Sequence, residues 1–333
     1  MALGSRFWVR FGELQEQMMA MRWTAAKKAS AKGRVKKKRI ATAGQRSTRT
    51  KMRGPNWPSF RGQAVLVGAS PSGRVTIYVD KALGQAGMQN AKDLLIDADR
   101  VVQANDHFFG TSSGSVNVII YALDGKTDGT GGADHMGCDY VVGNNIEVCA
   151  SFGNSARVSA LFEAELSECN MSDNLCGVST GEALSRWCAA SVSNNALFDF
   201  ATAPTWFKDG APDFVTHTDP TDRNADSTGC GMAFISWLLS QNIALATIAQ
   251  DLVPLGANGT FAQLYGNLTG KDPTTAWQAF IDAAQGLPGG VSSDDPFGGM
   301  TTVETALAFQ PRSHRLQPPV TAPGGRTRIK RRE

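Results

Sequence analysis

A change of hydrophobic period partway along this 333-residue chain limits its fold more than any other feature. Arg74-Val75-Thr76-Ile77-Tyr78-Val79-Asp80 and Val116-Asn117-Val118-Ile119-Ile120-Tyr121 carry the β-branched, alternating content of strands. Between them Leu94, Leu95, Ala98, Val101, Val102 and Phe108 recur at helical spacing, which predicts a helix over 90–108 capped by Asn90. A third strand is expected over 146–152. From there on the patterns are helical, over 155–168, 181–192, 196–201, 205–215, 229–241, 245–253, 260–268 and 274–285. Strands followed by a run of helices predict an α+β fold: a small N-terminal mixed sheet with one helix packed on it, then an all-helical lobe.

Charge is as unevenly placed as periodicity. Residues 1–60 hold 15 lysines and arginines against 2 acids, and residues 312–333 hold 7 against 1, so the formal net charge of +3 hides an acidic body. The expected organisation is a disordered basic arm over 1–60, an ordered domain over 73–290, and an extension over 291–333 that ends in a disordered basic tail. An acidic body is a poor surface for nucleic acid, which leaves the N-terminal arm as the one segment suited to it. The apolar run 64–69 is too short and too far from Met1 for a secretory leader, and no stretch approaches the roughly 20 apolar residues a membrane helix needs. The six cysteines, Cys138, Cys149, Cys169, Cys176, Cys188 and Cys230, all lie in the acidic body without the spacing of a structural zinc site. They suggest disulfides and an extracytoplasmic or secreted setting, with buried free thiols as the alternative.

The chemistry concentrates in Glu163-Ala164-Glu165-Leu166-Ser167-Glu168, on the helix predicted over 155–168. Val158, Leu161, Phe162 and Cys169 form its apolar stripe, and Glu165 falls on that stripe. Glu168 follows one turn later on the same side. Glu163 is rotated by about 200 degrees from Glu165 and is expected to face solvent. In a zinc-binding helix, two histidines at i and i+4 hold the metal and the Glu after the first activates water. Here Glu165 keeps the base position, while Ala164 and Glu168 stand at the two ligand positions.

Downstream, Trp206-Phe207-Lys208-Asp209-Gly210-Ala211-Pro212-Asp213-Phe214 and Gly229-Cys230-Gly231-Met232-Ala233-Phe234 follow in order. Taken together, these strings and the sequence of elements resemble the gluzincin metallopeptidases over about residues 73–290. The resemblance implies a zincin-like fold and a cleft for a peptide or protein. It places Asp209 at the third metal-ligand position beside Glu168, Asp213 at the second acid, and Trp206 and the strand residues Ile146 and Val148 along the substrate. His135, just before the strand at 146–152, would be a reserve acid to Glu165 as base.

With the helix histidines absent, zinc on histidine ligands is not expected; oxygens of Glu165, Glu168 and Asp209 would suit Ca, Mg or Mn. Three readings stay open. The carboxylates could serve an active hydrolase, through a bound cation or as an acid and base pair of peptidase or glycosidase type. The domain could bind peptide or protein with weak or no hydrolysis. Or Glu165 and Glu168 could be structural. The acidic residues Asp294 and Asp295 are expected in a solvated loop.

Overall fold

Val75, Ile77 and Val79 are buried while Thr76, Tyr78 and Asp80 are only partly covered, so the alternation in this segment does become a strand with one core face. The structure, a computed structural model, describes residues 54–112, 114–171 and 175–300; most of the basic arm and the basic tail lie outside the described residues. The five strands are β1 (Ala64–Ala69), β2 (Val75–Asp80), β3 (Val116–Tyr121), β4 (Ala133–Asp134) and β5 (Asn145–Cys149), in the spatial order β1-β2-β3-β5-β4. β2, β3 and β5 run parallel, and β1 and β4 pair antiparallel at the two edges. The apolar run at 64–69 is thus the first strand, and order begins before residue 73.

Eight helices follow or interleave: α1 (Gly84–Phe109), α2 (Ser155–Met171), α3 (Ser179–Ser193), α4 (Ala203–Lys208), α5 (Ala225–Ser240), α6 (Leu245–Leu252), α7 (Phe261–Thr269) and α8 (Ala276–Gln285). The described residues therefore form a mixed α/β architecture of a five-stranded mixed sheet and eight helices. α1 is the crossover that β2 and β3 need to lie parallel. It starts six residues before Asn90, so Asn90 is not its cap. Instead Asn90 is buried in the helix and bonds Ser151 in both directions, donating to its carbonyl at 2.9 Å and accepting from its N–H at 3.0 Å. That exchange ties α1 to the chain just before α2. α1 ends at Gly110, whose φ of 65° is the left-handed conformation that closes helices.

The segment predicted as helix over 196–201 is a single tight turn, Phe198–Phe200. The helix predicted over 205–215 is only α4, because the chain reverses at Gly210 (φ 97°) and Ala211 (φ 49°) ahead of Pro212. Asp294, from the segment expected to be solvated, is buried and accepts the N–H groups of Thr202 and Ala203 at 2.8 and 2.7 Å, capping α4. Such a cap is worth about 1 kcal/mol. Asp295 accepts Ser236 Oγ and the N–H groups of Gly299 and Met300.

Two apolar cores result. α1 and α2 cover one face of the sheet through Leu94, Val101, Val158 and Phe162 against Ile77, Ile120 and Val148. The helical lobe packs around Trp187, Trp206, Phe234, Phe261 and Phe280. On the opposite face of the sheet, Trp57 and Phe60 sit against Ile119, Tyr78 and Tyr121. That strap is held by Glu147 of β5, fully buried, which accepts the N–H groups of Ser59 and Phe60 at 2.9 and 2.6 Å and the hydroxyls of Ser59 and Tyr121. No helix among the described residues is long and apolar enough to cross a membrane.

Candidate functional site

β4 ends at Asp134, and the next residue turns its imidazole onto α2. His135 Nε2 lies 3.0 Å from a Glu168 carboxylate oxygen and 3.5 Å from one of Glu165. The His135 side chain is 6% exposed and each of the two glutamates 15%, so the group is nearly dry. Glu165 and Glu168 reach one histidine because three residues along a helix is close to one turn. On its other side, His135 Nδ1 is 2.5 Å from the Gly137 carbonyl, which fixes the ring orientation. The loop that carries it is pinned by a disulfide between Cys138 and Cys176, which joins it to the turn before α3. Cys176 Sγ lies 3.4 Å from Glu168 Oε2.

A third acid approaches from α3. Glu182 adds its negative field to both Glu165 and Glu168, and its own carboxylate lies 3.7 Å from Arg186 one turn later. Burial raises the Glu182 carboxyl to about 7, the charge of Glu168 adds to that, and Arg186 opposes it. Burial also pushes Glu165 well above the usual carboxylate range, reinforced by the charge on Glu168 and opposed by His135. For His135, burial disfavours the charged form, but the hydrogen bond to Glu168 and the charges of Glu165 and Glu168 outweigh it and lift the imidazole to about 9. At neutral pH the centre of the cluster is an imidazolium, and burial works against charge on Glu165.

The structure brings His135, Glu165 and Glu168 together and sends the other candidates elsewhere. Asp209 is exposed at the C-terminal end of α4, where its charge acts on Asp226 of α5; the acid that joins Glu168 in its place is Glu182. Trp206 is fully buried and stacked on Phe280 at 5.6 Å, so it is a core ring and offers no surface to a substrate. Asp213 accepts the N–H groups of Val215 and Thr216 and the Thr216 hydroxyl, closing a turn. Ile146 and Val148 are fully buried, because β5 is an inner strand and the edge is β4. Glu163, expected in solvent, is fully buried between helices, and neither of its oxygens has a hydrogen-bond partner.

Glu182 was missed because an acid four residues before an arginine on a helix reads as a surface pair. A signal for Cys176 was present in outline: Cys138 stands three residues from His135, and a disulfide partner for it had to come from the same domain. Of the six cysteines, Cys149, Cys169, Cys188 and Cys230 are free and buried, so both alternatives for the cysteines hold in one molecule.

No family model and no curated protein matches the chain. Among solved structures it is similar to a mutant form of an M1 zinc metallopeptidase from Deinococcus radiodurans, with a TM-score of 0.35 and 8% identity over 62% of this chain and 48% of that one. The chain thus spans about half the length of that protein. Similarity at this level shows neither a common family nor a common fold, and what the molecule does has to be read from its own residues.

Proposed function

We propose that this is a zincin-like domain that captures an extended peptide or protein segment beside the His135 cluster without hydrolysing it while Cys138 and Cys176 are bonded. The observation that carries this reading is the position of His135, whose imidazolium stands between Glu165 and Glu168 where a cation or a reacting water would otherwise sit. A hydrolase of this frame needs a deprotonated base facing a water. Burial disfavours the charged, basic form of Glu165, and the His135 imidazolium has no lone pair on Nε2, so the cluster is poorly suited to supply a base at neutral pH. A hard cation on Glu165, Glu168 and Asp209 is disfavoured for the same reason and because Asp209 lies elsewhere.

The zincin-like reading draws on the order of elements: a strand, a crossover helix, a parallel strand, the antiparallel edge β4, the parallel inner strand β5, and then α2 with Glu165 turned to the end of the β4 edge. For capture, β4 is the relevant edge. The Cys149 N–H bonds the Gly132 carbonyl, and by the alternation of an antiparallel ladder the N–H and C=O of Ala133 turn away from β5. On the chain that follows, Met136, Val141 and Val142 are 49%, 82% and 49% exposed, apolar side chains suited to meet those of an added strand.

The burial that raises the Glu165 carboxyl favours one alternative, a hydrolase in which Glu165 is the acid of a carboxylate pair. One assay separates the two. Full-length oxidised protein is presented with a library of extended peptides, and bound and cleaved material are both read by mass spectrometry. Capture that weakens at least about tenfold in Ala133→Pro and in Met136→Asp with Val141→Asp, and is unchanged in Glu165→Gln, is the expected result. Cleavage that disappears in Glu165→Gln would replace the capture reading with the hydrolase.

A further inference from the structure

The disulfide lies against the cluster, and its sulfur completes a set of donors that the oxidised chain cannot use. We infer that reducing the Cys138–Cys176 bond creates a zinc site from Cys176 Sγ, His135 Nε2 and a Glu168 carboxylate oxygen, with a fourth position for water or Glu165. These three donor atoms all lie within 4.8 Å of one another. Nε2 is 3.0 Å and Sγ 3.4 Å from Glu168 Oε2. With zinc bonds of about 2.0–2.1 Å to nitrogen or oxygen and about 2.3 Å to sulfur, a tetrahedral site has edges of about 3.3–3.6 Å. Both separations from Glu168 Oε2 are thus within a few tenths of an ångström of such an edge.

A second, independent observation points the same way. His135 Nδ1 faces the Gly137 carbonyl at 2.5 Å, and a ligating histidine commonly donates its other ring N–H to a backbone carbonyl in this manner. With Nδ1–H held by that bond, loss of the Nε2 proton would leave the Nε2 lone pair directed at Glu168 and Cys176. Glu165 Oε2, 3.5 Å from Nε2, stands where it can complete the coordination.

The disulfide decides whether the site exists. While bonded, Cys176 Sγ carries no charge and cannot act as a thiolate ligand. A dithiol reductant supplies two electrons and two protons, breaking the S–S bond to give two thiols while it becomes a disulfide itself. Zinc then displaces the Cys176 thiol proton and the proton on His135 Nε2. One thiolate, one carboxylate and a divalent cation sum to zero, so the imidazolium that balanced the acids before is replaced by the metal. Cys138 and Cys176 are only partly buried, within reach of a small reductant, whereas the other four cysteines are buried. The site has nothing to do with two histidines on one helix, and it does not depend on peptide capture.

Zinc uptake by the full-length chain, measured by competition with a chromogenic chelator, tests it. Cys138→Ser frees Cys176 without any reductant and is expected to bind one zinc; the oxidised parent should bind none. Adding Cys176→Ser or His135→Ala to Cys138→Ser should weaken binding by more than about tenfold. Cobalt in place of zinc should give a thiolate-to-metal charge-transfer band in Cys138→Ser that is missing when Cys176 is also replaced. Equal zinc in the oxidised parent and in Cys138→Ser would overturn the inference, as would undiminished zinc after Cys176→Ser is added. Where a cooperative melt shows that Cys138→Ser does not fold, the parent reduced with a phosphine supplies the same readout. Peptide capture is assayed in the oxidised protein, so the two results are independent.

Discussion

Glu163 and Glu165 stand two residues apart on α2 and meet opposite environments. Glu165, with Glu168, faces the end of β4 and is balanced by His135 at 3.5 and 3.0 Å. Glu163 faces inward, 0% exposed, with no hydrogen bond to either oxygen; the nearest charges acting on it are those of Arg100, which favours ionisation, and Asp106, which opposes it. A buried carboxyl must be paired or keep its proton. The site side of α2 pairs Glu168 with the His135 imidazolium, and the core side uses a proton, since burial lifts Glu163 well above the usual carboxylate range and no cation among the described residues contacts it. Glu147 shows a third solution, a buried carboxylate satisfied by two backbone N–H groups and two hydroxyls.

Removing the imidazolium should break this contrast most sharply. His135→Ala leaves Glu165, Glu168 and Glu182 facing one another and is expected to cost about 3 kcal/mol near neutral pH, lowering the Tm by roughly 10 °C. The His135 pKa is raised from 6.5 to about 9, so its stabilisation is full below 6.5 and is lost as pH rises through 9. Melts of parent and variant should therefore converge by pH 10; a gap of constant size up to that pH would mean the imidazolium is not what holds the cluster.

The core side should respond in the opposite direction. Glu163→Met replaces an unpartnered carboxyl with an apolar chain of similar length, and is expected to stabilise the protein by about 2 kcal/mol at pH 8. Because the folded-state pKa of Glu163 is raised, the parent loses stability as pH climbs from the unfolded value towards the folded one, so the gain should fade as pH drops towards 4.5. Urea titrations at pH 8 and pH 4.5 check this, and an equal gain at both would show that packing rather than protonation is responsible. The smallest effect belongs to Asp209→Ala, which at an exposed helix end should stay within about 0.5 kcal/mol and leave zinc uptake by Cys138→Ser unchanged. Loss of that uptake would bring Asp209 back into the site.

Much of the framework was legible from periodicity. The helix read over 155–168 is α2 at Ser155–Met171, that over 260–268 is α7 at Phe261–Thr269, and β2 and β3 fall where alternation put them. Thr260 caps α7 through the reciprocal bonds with Gln263 that their spacing allows. Misses occurred where a local signal had two meanings. Asn90 has the chemistry of a cap but spends it on Ser151, 61 residues away. Trp206 and Asp209 lie in a string that looks like a site, yet Trp206 packs into the helical core and Asp209 is left exposed where the chain reverses at Gly210 and Ala211.

The succession β2, α1, β3, β5 and α2, and the placement of Glu165 and Glu168 on one side of α2, follow from the sequence alone, because helical and strand periods are local properties of neighbouring residues. Which partner each carboxyl meets was decided only in three dimensions. His135 reaches Glu168 across 33 residues and Cys138 reaches Cys176 across 38. Glu182 arrives on another helix, and Glu163 is buried because α2 is covered on more than one side. Spacing fixes an angle around a helix axis; what fills the space at that angle depends on long-range packing, which no local pattern encodes.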